Sequence, residues 1–376
     1  MAREHNPRMQ TSIPTLFMRG GTSRGPFFLA DDLPQDQALR DRVLLAVMGS
    51  PDRRQIDGLG GAHPLTSKVG IISRGSQPGV DLDFLFAQLQ PDKDTVDTTP
   101  NCGNMLAAVV PFALERGLVT AQGETSTFRV LTLNTGMQCD VTVQTPGGQV
   151  RYDGDARIDG VPGSSAPITI NFLDTAGSVC SGLLPTGKVK DVVQLDGVGA
   201  LEITCIDNGM PLVMLRAADL GRSGYESVAE LNADTELKAR LEALRLQCGH
   251  LMGLGDVSKK TYPKMCLIAP PRDGGSISTR CFIPHVCHDA IGVLAAVTVG
   301  TACVLDGSVT AGIAQMQTGL RHLVSVEHPT GEFSVDLELD PANPQNVIRA
   351  ALLRTARLIM RGEVMIPSAI WKGQQA

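Results

Sequence analysis

Aromatic residues are scarce in this chain: 4% of 376 positions, with a single tryptophan. Basic residues are not in excess. The formal net charge of -6 excludes a general affinity for nucleic acid or an anionic membrane, so any anionic ligand must be met by a local basic cluster. No C-x-x-C pair occurs among the nine cysteines (102, 139, 180, 205, 248, 266, 281, 287 and 303), and their odd number argues for reduced thiols and a cytoplasmic setting. The first residues, Met1 to Gln10, lack the apolar core of a signal peptide. The longest nearly apolar run, Ala290 to Leu305, is too short for a bilayer span and reads as a buried helix. Two phosphate-binding signatures are also missing. In the glycine-rich stretch after Gln55, His63 occupies the place of the third glycine of a dinucleotide loop, and no G-K-[ST] follows.

What is present is a chain with 43% apolar and 19% charged residues and 40 glycines, long enough for two domains or one domain in two lobes. The stretch Thr99-Pro100-Asn101-Cys102-Gly103-Asn104 leads into the apolar run Met105 to Val110. Asn101 is expected to cap a helix in which Cys102 is the first residue, where unpaired backbone N–H groups favour an anion and a thiolate. The alternative is a cysteine that is simply small and buried. Helical spacing extends to Glu115, closed by Gly117, and Pro111 inside it implies a bend or a second segment. Met18 to Gly25 reads as a strand, a glycine loop and a second strand. Its two arginines, two glycines and two hydroxyls suit either a carboxylate cradle or an ordinary hairpin. Ser67 and Lys68 open the strand Val69 to Ile72, where the lysine either reaches to solvent or is desolvated as a base.

The second half is expected to contain strands at 201–206 and 211–216 around Asn208-Gly209, an amphipathic helix from Glu230 to Gln247 and a strand from Lys264 to Ala269. Cys281, His285, Cys287 and His288 raise the question of zinc. Their spacing fits no common site and no second ligand cluster appears, so no metal is expected, and Asp289 reads as a helix cap. Leu106-Ala107-Ala108-Val109 recurs as Leu294-Ala295-Ala296-Val297, which suggests an internal duplication with Cys102 corresponding to Ala290. The expected lobes are 1–185, with its central helix from 102, and 186–376, with its central helix from about 289. The last segment, Val347 to Ile370, packs on its own lobe or crosses back.

With these residues placed, the chain resembles the 2-methylaconitate cis-trans isomerase family, within it the branch of 4-oxalomesaconate tautomerases. The resemblance runs from about Pro14 to the end. It is carried by 18–23, 48–52, 55–58, 65–68 and 101–104 in the first half, and by 184–187, 207–211, 255–258, 282–285 and 328–331 in the second. It implies an α+β, diaminopimelate-epimerase-like fold: two pseudo-repeated lobes, each a curved sheet around one helix, with the active site between them. It also implies an isomerase that moves an allylic proton in an unsaturated polycarboxylate, within aromatic-acid (gallate or protocatechuate) catabolism, without metal or organic cofactor. A small anionic substrate and a homodimer are the expected partners. The family's lysine and cysteine fall on Lys68 and Cys102.

On this reading Lys68 removes the proton and Cys102 acts as acid or hydrogen-bond donor. Gly103 and Asn104 with Arg19 or Arg280 hold carboxylates, and His285 orients the substrate or is structural. Gly20, Thr22, Ser23, Ser67 and Asn101 complete the expected contacts on the first lobe, and Asn208 and Met252 those on the second. Arg24 stands where the family commonly has lysine, and Thr99-Pro100 replaces a more usual polar or glycine pair. Competing readings are a two-cysteine racemase using Cys287, a non-catalytic carboxylate binder, and an isomerase of 2-methylaconitate or methylitaconate.

Overall fold

Alternating apolar positions dominate the chain, and a computed structural model, which describes residues 9–373, assembles them into strands around two short apolar helices. Residues 1–8 and 374–376 lie outside the described residues. Two compact units form: residues 1–170 with 354–376, and residues 171–353.

The first unit begins with β1 (Gln10–Gly20) and β2 (Ser23–Leu29), joined by the two-residue turn Gly21-Thr22. Helix α1 (Gln37–Met48) follows, capped by the Asp36 carboxylate on the Leu39 N–H and closed by Gly49 at φ 77°. Then come β3 (Lys68–Arg74), β4 (Leu82–Leu89), the short β5 (Val96–Asp97), α2 (Gly103–Leu106), α3 (Val109–Glu115), β6 (Thr125–Thr132) and β7 (Met137–Gln144). Strand β8 (Ile168–Phe172) carries the chain into the second unit. That unit contains β9 (Asp191–Leu195), β10 (Gly199–Asp207), β11 (Pro211–Arg216), α4 (Val228–Ala233), α5 (Thr235–Leu251), β12 (Lys264–Ala269), β13 (Ile277–Phe282), α6 (Val293–Val304), β14 (Arg321–His328), β15 (Gly331–Asp340) and β16 (Asn343–Arg354). The chain ends in β17 (Ala356–Pro367), which pairs with β1 along its whole length.

Both units share one pairing pattern. In the first, β1 and β2 are antiparallel, β2 and β3 parallel, β3 and β4 antiparallel, β4 and β6 parallel, β6 and β7 antiparallel. In the second, β10 to β15 repeat the same alternation. Each unit inserts its central helix between the fourth and fifth strands of this series, so the short sequence repeat marks a duplicated topology. The helix α6 is buried from Ala295 to Ala302 and packs on β10, β11, β14 and β15. Its small side chains let strands approach from every side.

Four local expectations are corrected. The cap of α2 is Cys102, not Asn101. The helix expected from 104 to 115 breaks at Ala107-Ala108. Restarting at Val109 puts Pro111 in a first turn, where its missing N–H costs nothing and its ring meets no helical carbonyl. The amphipathic helix is split by Asp234, whose carboxylate caps α5 at Leu237 and binds Arg222. Asp289 does not cap α6; Gly292 does, because His288 Nδ1 accepts the Ala290 N–H and draws Asp289 into a separate turn.

Candidate functional site

Gly20 and Gly21 exist where they do because the mouth of α2 sits against them. A Cβ on Gly20 would lie 2.3 Å from the Asn104 carbonyl oxygen, and one on Gly21, at φ +52°, would lie 2.1 Å from Asn104 Oδ1. Asn104 Nδ2 donates to the Thr22 hydroxyl at 3.0 Å, fastening the hairpin turn to the helix mouth. Four residues on, a Cβ on Gly25 would lie 1.7 Å from the Lys68 carbonyl oxygen. At about 3.3 Å per residue, one hairpin arm therefore touches both Asn104 and the Lys68 backbone within roughly 13 Å. Three buried polar atoms at this junction have no hydrogen-bond partner among the described residues: Ser23 Oγ, Asn101 Oδ1 and Asn104 Oδ1. Such groups are ordinarily satisfied, so a bound polar molecule is what would complete them. The Thr22 hydroxyl can donate as well as accept. Turning the Asn104 amide over therefore keeps that bond and offers an N–H to a ligand oxygen.

Lys68 opens β3 and is 8% exposed. Its Nζ donates to Gln88 Oε1 at 2.5 Å and lies 4.9 Å from the centre of the Phe86 ring. Gln88 is directly opposite Lys68 on β4, and its Nε2 is spread over the carbonyls of Pro64, Ser67 and Leu89. With the amide nitrogen committed to carbonyls, the amide oxygen must face the lysine. Asn134 brackets Phe86 by bonding both its N–H and its C=O, and its Nδ2 also holds Thr98 O at 2.6 Å. Asn101 Nδ2 donates to the Thr135 hydroxyl at 2.6 Å. The loop that presents Cys102 is thus pinned to the strand carrying the partners of Lys68. Cys102 is half-buried, and its thiol makes no hydrogen bond among the described residues. The N–H groups of Gly103 and Asn104, in the first turn of α2, have no acceptor within the helix. An amine, a thiol and unpaired N–H groups around one junction can move a proton and hold an oxyanion.

Two residues expected at this junction have other duties. Ser67 is fully buried, its hydroxyl shared between Gln55 Oε1 and His63 O, which ties the glycine-rich loop to β3. Arg19 lies on the opposite face of β1. Met18 and Gly20 face the central helix, and strand alternation turns Arg19 away from it.

In the second unit, Asn208 is buried with both ends of its amide engaged, accepting from Thr175 Oγ1 at 2.6 Å and donating to Thr301 Oγ1 at 2.8 Å. It pins the β10–β11 turn to α6. Met252 terminates α5 and is 1% exposed within the core beneath that helix. Arg280 is buried on β13, with Nε on the Glu226 carbonyl and Nη1 on the Thr279 carbonyl, and burial lowers its pKa. His285 is exposed, its Nδ1 3.5 Å from the Glu242 carboxylate that also holds the fully buried Arg245. Cys287 is buried, and burial pushes its thiol up to about 11, so it is a neutral thiol near pH 7.

Sequence reasoning missed Gln88, because a glutamine in a strand carries no motif. It also missed Lys264. The first residue of β12, Lys264 brings its Nζ to 3.8 Å from where a Cβ on Gly292, the cap of α6, would lie. Burial lowers its pKa, and it makes no hydrogen bond or ion pair among the described residues. The only available signal was its place at a strand start, the same place Lys68 holds in the first unit.

Residues 10–367 match the PrpF protein family. The chain is 55% identical over 359 residues to the (4E)-oxalomesaconate Delta-isomerase of Novosphingobium sp., covering 96% of this chain and 99% of the relative. It is 54% identical over 367 residues to the 4-oxalomesaconate tautomerase of Pseudomonas putida, covering 97% and 99%. The crystal structure of methylitaconate-delta-isomerase superposes with a TM-score of 0.85 at 34% identity, covering 96% of this chain and 97% of that one. The fold is the α+β, diaminopimelate-epimerase-like class expected from the sequence. With a family match spanning nearly every described residue, the chain belongs to the PrpF protein family and is an isomerase.

Proposed function

We propose that this isomerase acts on 4-oxalomesaconate, shifting an allylic proton between two carbons of the same molecule, and so serves the breakdown of aromatic acids. The observation that carries the reading is the seating of Lys68: a buried amine aimed by Gln88 and Phe86, tied through one hairpin to a helix mouth with an unbonded thiol. Loss of a proton flanked by a carbonyl and a conjugated carboxylate leaves a delocalised dienolate. One group must take that proton, and another must stabilise the anion. Lys68 keeps one N–H on Gln88 and, in its deprotonated form, receives the proton on its lone pair. The developing oxyanion is met by the N–H groups of Gly103 and Asn104 and by Ser23 Oγ. Either the Lys68 ammonium returns the proton to the other carbon, or the Cys102 thiol delivers one, after which the Lys68 ammonium gives its proton to water and water re-protonates the Cys102 thiolate. No covalent intermediate is required. The substrate's further carboxylates fall to Asn101, Gly20 and Thr22. The 54–55% identity to relatives named for oxalomesaconate, against 34% for the methylitaconate enzyme, supports the choice of substrate.

The test is an ultraviolet assay of turnover on oxalomesaconate, methylitaconate and 2-methylaconitate side by side. Oxalomesaconate is expected to be turned over fastest, and a faster reaction with either other acid overturns the assignment. Lys68→Met is expected to lower kcat by about 10³-fold or more, the upper part of the range for general base catalysis. If Cys102→Ser retains turnover, transfer is through Lys68 alone. Turnover by Lys68→Met near that of the parent protein removes the lysine from the chemistry.

A further inference from the structure

Arg19 on β1 and Arg357 on β17 are directly opposite each other in the antiparallel ladder. Like charges in that position repel and are ordinarily avoided or neutralised by a carboxylate. Here neither arginine is paired with one. Arg19 Nη1 is committed to Gly21 O, Thr355 O and Thr355 Oγ1, and Nη2 reaches Ser165 Oγ at 3.4 Å. Nε and the remaining Nη2 hydrogen have no acceptor among the described residues. Arg357 is exposed and makes no hydrogen bond or ion pair there. The two guanidinium groups share a cavity of about 560 Å³, walled by Tyr152, Ser164, Ser165 and Ile359. Asp153 also reaches the cavity, but it forms no ion pair with either arginine. Burial lowers the pKa of Arg19, and the proximity of Arg357 lowers it further, so an uncompensated positive field is built into the wall.

We propose that this cavity is an anion site, separate from the Lys68–Cys102 junction, that takes a small polyanion through carboxylate or phosphate oxygens. The free Nε and Nη2 hydrogens of Arg19 form a planar fork suited to two oxygens of one such group, Arg357 closes on it from the neighbouring strand, and Ser164 and Ser165 offer hydroxyl donors. The cavity exceeds what a halide needs and accommodates a tricarboxylate. The site does not depend on which substrate the enzyme turns over.

Calorimetric titration with two probes, inorganic phosphate and propane-1,2,3-tricarboxylate, tests it on the full chain, and whichever saturates identifies the source of the oxygens. At least one is expected to bind Lys68→Met as it binds the parent protein. Arg357→Gln is expected to weaken that binding at least tenfold, and Arg357→Lys, which keeps the charge and loses the planar guanidinium, to fall between. Because Arg357 has no bond to lose and repulsion is relieved, unliganded Arg357→Gln should unfold at or above the parental Tm. The proposal is overturned if neither anion binds, if binding survives Arg357→Gln, or if it vanishes in Lys68→Met.

Discussion

At the scale of single residues, the structure separates side chains that do chemistry from those that aim them. Gln88 belongs to the second kind. Its amide nitrogen is fixed by three carbonyls, so its oxygen has one direction left, and that direction is Lys68. Gln88→Leu should leave the fold intact and lower kcat by about 10-fold to 100-fold, with Gln88→Glu restoring part of it. Circular dichroism and steady-state kinetics together check this; unchanged kcat would make the glutamine merely structural. His288 carries a pH effect. Burial, then the nearby Lys264 charge, lowers its pKa, and its Nδ1 must stay unprotonated to accept the Ala290 N–H. A folded-state pKa below the unfolded value means that stability is full above about pH 6.5 and is lost as pH falls below it. His288→Asn, whose side-chain oxygen can accept the same bond, should reduce the loss of Tm between pH 7 and pH 5 relative to the parent protein.

At the scale of elements, close approach decides more than propensity. Gly25 lies in a strand interior with no positive φ, so only its contact with the Lys68 carbonyl explains it. Gly25→Ala must push β3 away, and a cost of about 1–3 kcal/mol is expected with a fall in turnover, since the displaced residue is Lys68. Thermal unfolding and the ultraviolet assay measure both. The mouth of α6 makes the opposite case. A half-buried, lowered-pKa lysine at the positive end of a helix costs stability near neutral pH, and that cost disappears only as pH rises past its folded pKa. Lys264→Met should therefore raise Tm at pH 7 and narrow its rise toward pH 10. A lowered Tm at pH 7 would refute the electrostatic argument.

At the scale of the whole molecule, the first unit is discontinuous in sequence, and β17 is needed to cover β1. Its pairing runs from Gln10 with Pro367 to Gly20 with Ala356, so removal of 354–376 leaves the strand leading to the Gly20–Gly21 turn as an open edge. A chain truncated after Leu353 is expected to be inactive and to aggregate, whereas residues 171–353 include none of that edge. Size-exclusion chromatography of the truncated chain tests the expectation; a monomeric, active product would reject it. The duplicated strand pattern places Lys68 and Lys264 at equivalent strand starts, although the helix mouths they accompany carry Cys102 in one unit and Gly292 in the other.

The sequence by itself determined what local rules can encode: the strand alternation, the Gly21-Thr22 hairpin and the duplicated apolar helix. Those follow from periodicity, turn chemistry and composition, each read within a few residues. Only the tertiary structure decided which face of β1 Arg19 occupies, that Asn208 and Ser67 spend their hydrogen bonds on the fold, that Gln88 aims Lys68, and that Pro111 begins a helix rather than bending one. Each depends on partners up to hundreds of positions away, such as Thr355 for Arg19 and Thr301 for Asn208. A buried polar group takes whatever partner the packed chain brings within about 3 Å, and that proximity is a property of the fold, not of the neighbouring sequence.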